Sequence, residues 1–172
     1  MTQELQGVQV RFETTAGDLT LEFMPEIAPK HVENFVKLSR DGFYDGTKFH
    51  RVIPGFMIQG GDPNTKTDNE RSWGTGGPGW SVDAEFSDVH HERGILSMAR
   101  SSDPNSAGSQ FFLVHGEAGF LDNQYTVFGR LVDGFDVLDE IVGAKTVPGG
   151  EGSRPVNPVT VTKAVVLEAK EA

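Results

Sequence analysis

The chain predicts a mainly β fold: a closed or nearly closed eight-stranded antiparallel barrel capped by two α-helices. Three observations predict it. Apolar residues alternate with polar ones in short segments along the whole chain, the period of a half-buried strand. Two segments carry helical spacing, and they do not alternate with strands as a parallel sheet would require. The 21 glycines are scattered along the chain, so they supply turns instead of a low-complexity tract. An antiparallel sheet of this size buries its apolar face by curling on itself, with the helices plugging it. The 172 residues read as one domain spanning 1–172, with a core at about 8–168.

Taken in order, Val8, Val10 and Phe12 alternate with Gln9, Arg11 and Glu13. Ala16-Gly17-Asp18 turns the chain, and Leu19, Leu21 and Phe23 alternate again, so this pair is a hairpin. Pro29 suits the first turn of a helix, where its missing N–H costs nothing. Val32, Phe35 and Val36 recur at helical spacing up to Arg40, and Gly42 is the stop, which should pack Phe35 across an open end of the sheet. A strand is expected from Lys48 to Ile53, a turn at Pro54-Gly55, and a second strand from Phe56. Alternation would then put Phe49, Arg51 and Ile53 on one face and His50 and Val52 on the other.

Pro63 to Trp80 is the least periodic part of the chain, and its polar first half, Pro63 to Trp73, reads as an inserted surface loop. The run G-T-G-G-P-G from Gly74 to Gly79 lacks the Gly-Lys-Ser/Thr of a phosphate loop. His90-His91 sits on a loop among acidic residues, but adjacent residues rarely aim at one centre, which argues against a metal. Gly94–Ala99 and Ser109–Val114 read as buried strands joined by a Ser/Asp/Pro/Asn/Gly loop, and Thr126–Leu131 as another. Phe135, Val137, Leu138, Ile141 and Val142 form the second amphipathic helix, ending at Gly143. A Gly/Pro loop from Pro148 to Pro158 leads to a final strand with Val159, Val161, Val165 and Leu167 on one face.

Composition excludes several functions. No cysteine is present, so disulfide, thiolate and cysteine-ligated metal chemistry are out. Fifteen basic against 25 acidic residues give a net charge of −10, which opposes binding to nucleic acid or anionic membrane. The first residues lack the basic and apolar regions of a signal peptide, and no apolar run reaches the length of a membrane span. The expectation is a soluble, cytoplasmic protein. Ser109 lacks the Gly-x-Ser-x-Gly setting of a hydrolase nucleophile, and no histidine is nominated as its base.

The segment Phe49 to Asp62, F-H-R-V-I-P-G-F-M-I-Q-G-G-D, places Arg51 and Gln59 among apolar residues. Together with G-I-L-S-M-A-R-S-S-D-P-N-S-A-G-S-Q-F-F from Gly94 to Phe112 and F-L-D-N-Q-Y-T-V-F-G from Phe120 to Gly129, it resembles the signatures of the cyclophilin family of peptidyl-prolyl cis-trans isomerases. The resemblance runs from about Val8 to Leu167 and implies the same barrel with two helices. It also implies prolyl isomerisation without cofactor or metal. The chemistry is consistent. An amide resists rotation by about 18–20 kcal/mol. X–Pro isomers lie within about 1 kcal/mol of each other, yet exchange over tens to hundreds of seconds. A site that binds the twisted amide better than the planar forms is sufficient. Acceleration by about 10⁵ asks for roughly 7 kcal/mol of such differential binding.

Position by position, the resemblance makes Arg51 the catalytic donor to the prolyl nitrogen and Gln59 its brace. Phe56, Met57, Phe112 and Leu121 would hold the pyrrolidine ring. The Arg100 backbone would pair with the residue before proline, with Ser101 and Gln110 flanking that groove. His50, Ile53, Phe120 and Tyr125 complete the substrate-binding set. Phe120 stands where many members have Trp and lacks its indole N–H, so cyclosporin-type ligands are expected to bind with weakened affinity. Tyr125 stands where many have His, and Arg100 replaces a common Asn. Phe120, Arg100 and the G-T-G-G-P-G run resemble bacterial members more than animal ones. Implied partners are proline-containing peptides and unfolded proteins, and the implied state is a monomer assisting protein folding. The competing reading is a module or chaperone that holds proline-containing peptides without turning them over; an intact Arg51 favours the enzyme.

Overall fold

A computed structural model describes residues 5–67, 69–147 and 153–168. In chain order the elements are β1 (Gln9–Thr14), β2 (Gly17–Phe23), α1 (Pro29–Arg40), β3 (Arg51–Ile53), β4 (Met57–Gly60), β5 (Ile95–Met98), β6 (Phe111–Val114), β7 (Val127–Asp133), α2 (Phe135–Val142) and β8 (Val161–Leu167). All eight strands join one sheet in the order β3-β4-β6-β5-β7-β2-β1-β8. Every neighbouring pair is antiparallel.

The sheet curls until its edge strands β3 and β8 approach one another. The seam is made by the residues just ahead of β3: Gly46 N–H donates to Val161 O at 2.7 Å, Val161 N–H to Thr47 O at 2.8 Å and Phe49 N–H to Val159 O at 3.0 Å. This seam changes the expected strand. Lys48 forms only an isolated bridge to Thr160, and β3 begins at Arg51. Because 46–49 pair across the seam, alternation does not carry from Phe49 to Arg51. Phe49 is buried with Val52 and Ile58 in the interior. His50, expected to face away from Arg51, lines the same outer cavity.

Helix α1 starts at Pro29, and with no side-chain cap of its own it is capped by Glu85. That carboxylate accepts His31 N–H at 2.9 Å and meets the His31 ring Nδ1 at 2.7 Å. An anion at a helix N-terminus satisfies donors that the helix leaves unpaired. The helix drives Phe35 into the barrel, within 5.0–5.8 Å of the rings of Phe12, Phe23, Tyr44, Phe111 and Phe128. Gly42 ends it at φ +75°, a conformation that other residues adopt reluctantly.

The last strand departs from its expected pattern. Register between β1 and β8 slips so that Thr14 faces Val161 while Glu13 faces Lys163, leaving Thr162 as a bulge. Beyond it, Ala164 and Val166 stand opposite Phe12 and Val10 and face the core, in place of the expected Val165 and Leu167. Residues 148–152 of the expected Gly/Pro loop lie outside the described residues.

Strands β4, β5 and β6 serve two cores. Ile58, Leu96, Met98, Phe111 and Leu113 turn into the large interior cluster. Met57, Ile95, Phe112 and Val114 turn outward into a second, smaller cluster with Ala118, Leu121 and Val127. The working surface of the molecule is built on that second cluster.

Candidate active site

The β3–β4 hairpin sets Arg51 directly opposite Gln59 and Ile53 opposite Met57. Arg51 Nη1 donates to Gln59 Oε1 at 3.3 Å. Gln59 Nε2 donates to Gln110 Oε1 at 3.0 Å, and Gln110 Nε2 donates to Gly76 O at 3.0 Å. This relay has one direction. Each amide spends its NH₂ away from Arg51, so the oxygen of Gln59 must face the guanidinium, which can only donate. The relay ends on Gly76, where a Cβ would overlap the Asp62 carboxylate and Asn64, so the loop backbone can approach only as glycine.

Beside Arg51 lies a cavity of about 450 Å³. At one end it is walled by Phe56, Met57, Phe112, Leu121 and Tyr125, an apolar hollow in the size range of small-ligand sites. Phe112 is held on both sides: the His91 ring stacks on it at 6.0 Å, and Tyr125 meets it edge-on at 5.8 Å. Arg100 braces the Tyr125 wall. Its guanidinium lies 4.5 Å from the Tyr125 ring centroid and donates from Nη2 to Gln124 O at 2.8 Å.

Leu121 sits on a single helical turn, Gly119–Leu121, anchored by the next residue, Asp122. One Asp122 oxygen accepts His91 N–H at 2.7 Å and meets His91 Nδ1 at 2.9 Å; the other meets His90 Nδ1 at 2.6 Å. The adjacent histidines do therefore converge on one centre, but it is a carboxylate. Bonds to Asp122 and then Glu117 raise the pKa of His90 to about 9, so it is an imidazolium at neutral pH. The bond from His90, followed by that from the His91 N–H, keeps Asp122 well below the ordinary carboxylate range. Burial lowers the pKa of His91, whose Nδ1 faces Asp122 while Nε2 lies 2.9 Å from Ser97 Oγ, a hydroxyl that donates to Thr126 O at 3.0 Å. Burial likewise lowers His50, so His50 itself adds no charge to the cavity at neutral pH.

Nine residues singled out from sequence line this cavity: His50, Arg51, Phe56, Met57, Gln59, Arg100, Phe112, Leu121 and Tyr125. Ser101 and Gln110 line an adjoining hollow of about 470 Å³, which shares Gln59, Gly74, Ala99 and Arg100 with the first. Ile53 packs against the outer cluster that floors the cavity and does not line the cavity itself. Phe120 stands on the rim, 64 % exposed, its ring 5.3 Å from Phe56. Sequence reasoning missed Glu70, Trp73, Gly74, Ala99, Ser153 and Arg154, which complete the lining. Ala99 adjoins a residue already named. The others come from aperiodic loops, where no pattern could nominate them.

Barrel and cavity define a class: curled antiparallel sheets that carry on their outer face an apolar hollow next to a guanidinium. The family model described as "Cyclophilin type peptidyl-prolyl cis-trans isomerase/CLD" matches residues 9–166. A probable peptidyl-prolyl cis-trans isomerase of Brucella abortus (strain 2308) is 44% identical over 155 residues, which cover 87% of this chain and 78% of that protein. A peptidyl-prolyl cis-trans isomerase of Arabidopsis thaliana is 40% identical over 166 residues, 92% of this chain and 96% of its own. The crystal structure of a Cryptosporidium parvum cyclophilin-type isomerase in the presence of the dipeptide Ala-Pro superposes with a TM-score of 0.81 at 36% identity, covering 93% of this chain and 99% of that one. The chain belongs to the cyclophilin-type peptidyl-prolyl cis-trans isomerase family and is a prolyl isomerase. No helix among the described residues is long and apolar enough to cross a membrane.

Proposed function

We propose that Arg51 is the catalytic donor and that the Phe56, Met57, Phe112 and Leu121 hollow holds the substrate proline. The observation that carries this is the relay Arg51–Gln59–Gln110–Gly76 at the edge of the apolar hollow. As the X–Pro amide twists, its nitrogen loses resonance, becomes pyramidal and gains a lone pair able to accept a hydrogen bond. A guanidinium aimed there binds the twisted form better than either planar isomer, and such preorganised donors are among the larger contributions to catalysis. Gln59 holds the donor in place by offering it an oxygen, and a neutral His50 adds no competing charge. The substrates are proline-containing peptides and unfolded or flexible protein segments, laid along the Arg100 backbone; the Ala-Pro dipeptide named with the Cryptosporidium protein supports a prolyl ligand. The chain works as one monomeric domain that helps proteins fold in the cytoplasm. Cyclosporin-type ligands bind weakly, because Phe120 offers a ring but no N–H.

Cis-trans exchange of an Ala-Pro-Phe peptide, followed by NMR exchange spectroscopy, tests the assignment of Arg51. Arg51→Ala should lower kcat/KM by about 10²–10³, the cost of removing one preorganised donor, while peptide-induced shifts of the hollow persist. Undiminished exchange in the variant would remove Arg51 from the mechanism.

A further inference from the structure

The insertion between β4 and β5 is built into the site. Asp62, fully buried, holds both its ends: the carboxylate accepts Asn64 N–H at 2.8 Å and also the Gly74 N–H. Trp73 is oriented by its Nε1–H, which donates to Thr67 O at 3.1 Å, and by the Lys48 ammonium 5.8 Å from its ring centroid. Glu70 and Trp73 thereby form a wall of the active cavity. Across from them, Arg154 Nη1 meets Glu70 Oε2 at 3.0 Å. The Arg154 segment is tied to the catalytic strand, because Val52 N–H donates to Ser153 O at 2.7 Å.

Charge in this cavity opposes that of the chain. The protein carries −10 overall, yet among the described residues the lining contains Arg51, Arg100 and Arg154 against one carboxylate, Glu70. Arg51 bonds Gln59, and Arg100 is committed to Gln124 O and the Tyr125 ring. Arg154 differs. Its side chain is 41% exposed and that of Glu70 51%, and an ion pair so open to water is weak. A guanidinium has five N–H donors in a fork, so it can accept a second carboxylate at little cost.

We propose that Arg154 and Trp73 form a subsite for an acidic side chain one or two residues after the substrate proline. The proposal rests on the isomerase reading of the cavity. With the residue before proline on the Arg100 backbone and the preceding chain in the adjoining hollow, the chain after proline leaves past His50 towards Arg154. Glu70 is the internal competitor: it occupies Arg154 when no acidic residue arrives and is displaced, or shares the guanidinium, when one does.

The test compares Ala-Ala-Pro-Glu-Glu with Ala-Ala-Pro-Lys-Lys by NMR exchange, taking the ratio of kcat/KM values within each protein, so that any general loss of activity cancels. The wild type should favour the acidic peptide by about two- to fivefold, the range of a solvent-exposed ion pair. Arg154→Glu should invert the order, and Glu70→Gln should enlarge the preference. Equal turnover of the two peptides by the wild type, or a ratio unchanged in Arg154→Glu, overturns the subsite. Failure of the isomerase reading looks different: neither peptide's exchange is accelerated, and the ratio of their Kd values then decides the subsite by the same criterion.

Discussion

Phe111 and Phe112 are neighbours in one strand, and both are buried. Phe111 turns into the barrel, where its ring lies 5.4–6.1 Å from those of Phe12, Phe35, Tyr44 and Phe49. Phe112 turns outward to a single tyrosine, a stacked histidine and the open cavity. One strand thus supplies the interior that makes the protein stable and the floor on which it acts. The site inherits its rigidity from the interior behind it, since β4, β5 and β6 cannot move outward without opening the aromatic cluster. The division predicts that stability and turnover can be damaged separately at adjacent residues.

The largest effect should follow from that pair. Phe111→Ala leaves a closed void among rings and should cost about 3–5 kcal/mol of unfolding free energy. Phe112→Ala opens a void already in contact with solvent. It should cost clearly less stability, but lower kcat/KM at least about tenfold, because proline loses the ring it packs against. Guanidinium unfolding alongside peptide exchange separates the two. An equal loss of stability at both positions, with exchange intact in Phe112→Ala, would break the division between interior and floor.

A smaller effect sharpens the same comparison on the outer face alone. The Gln110 side chain links Gln59 to the Gly76 carbonyl. Gln110→Ala removes both bonds and frees the Gln59 amide to turn its NH₂ towards Arg51. With about 0.5–1.5 kcal/mol per hydrogen bond, kcat/KM should fall about two- to tenfold, with Kd for the peptide nearly unchanged. A fall in affinity at constant kcat would mean that the relay binds substrate and does not position Arg51.

How much could be read from the residues follows the same line. The β1–β2 hairpin was legible because one of its faces is wet, so Val10, Phe12, Leu19 and Leu21 alternate with polar residues. Phe111 to Val114 is buried on both faces, so its existence as a strand shows but its two faces do not. Arg51 and Gln59 stood out only through motif resemblance; strand period alone would have left Arg51 on a rim. The same period misplaced His50, because the seam with β8 interrupts alternation just before β3. It also misjudged β8, where a bulge at Thr162 exchanges the faces. Trp73, Glu70 and Arg154 had no pattern to betray them: a buried carboxylate, Asp62, and backbone bonds bring them to the cavity.

The smallest effect concerns two adjacent histidines behind the outer cluster, and it has opposite signs. His90 is raised to about 9 by Asp122 and Glu117, above its ordinary value of 6.5. Its contribution to stability is fully present below pH 6.5 and is lost as pH rises through about 9. His91 is lowered by burial, so its neutral form is the folded one, and stability is lost as pH falls below 6.5, where the unfolded chain takes up the proton first. Asp122 adds to the acid side: its ionised form is held by both histidines, and that stability is lost as pH drops below the ordinary 3.8. NMR titration of the two rings should show His90 changing near pH 9 and His91 changing below pH 6.5. Thermal midpoints of His90→Gln should decline less than those of the wild type between pH 7 and pH 10. The turn that Asp122 anchors carries Leu121 and Phe120, so alkaline loosening should appear first as shifts of the cavity wall, while the aromatic interior around Phe35 stays unchanged. If both rings titrate together near 6.5, Asp122 does not distinguish them, and the outer cluster is held by packing alone.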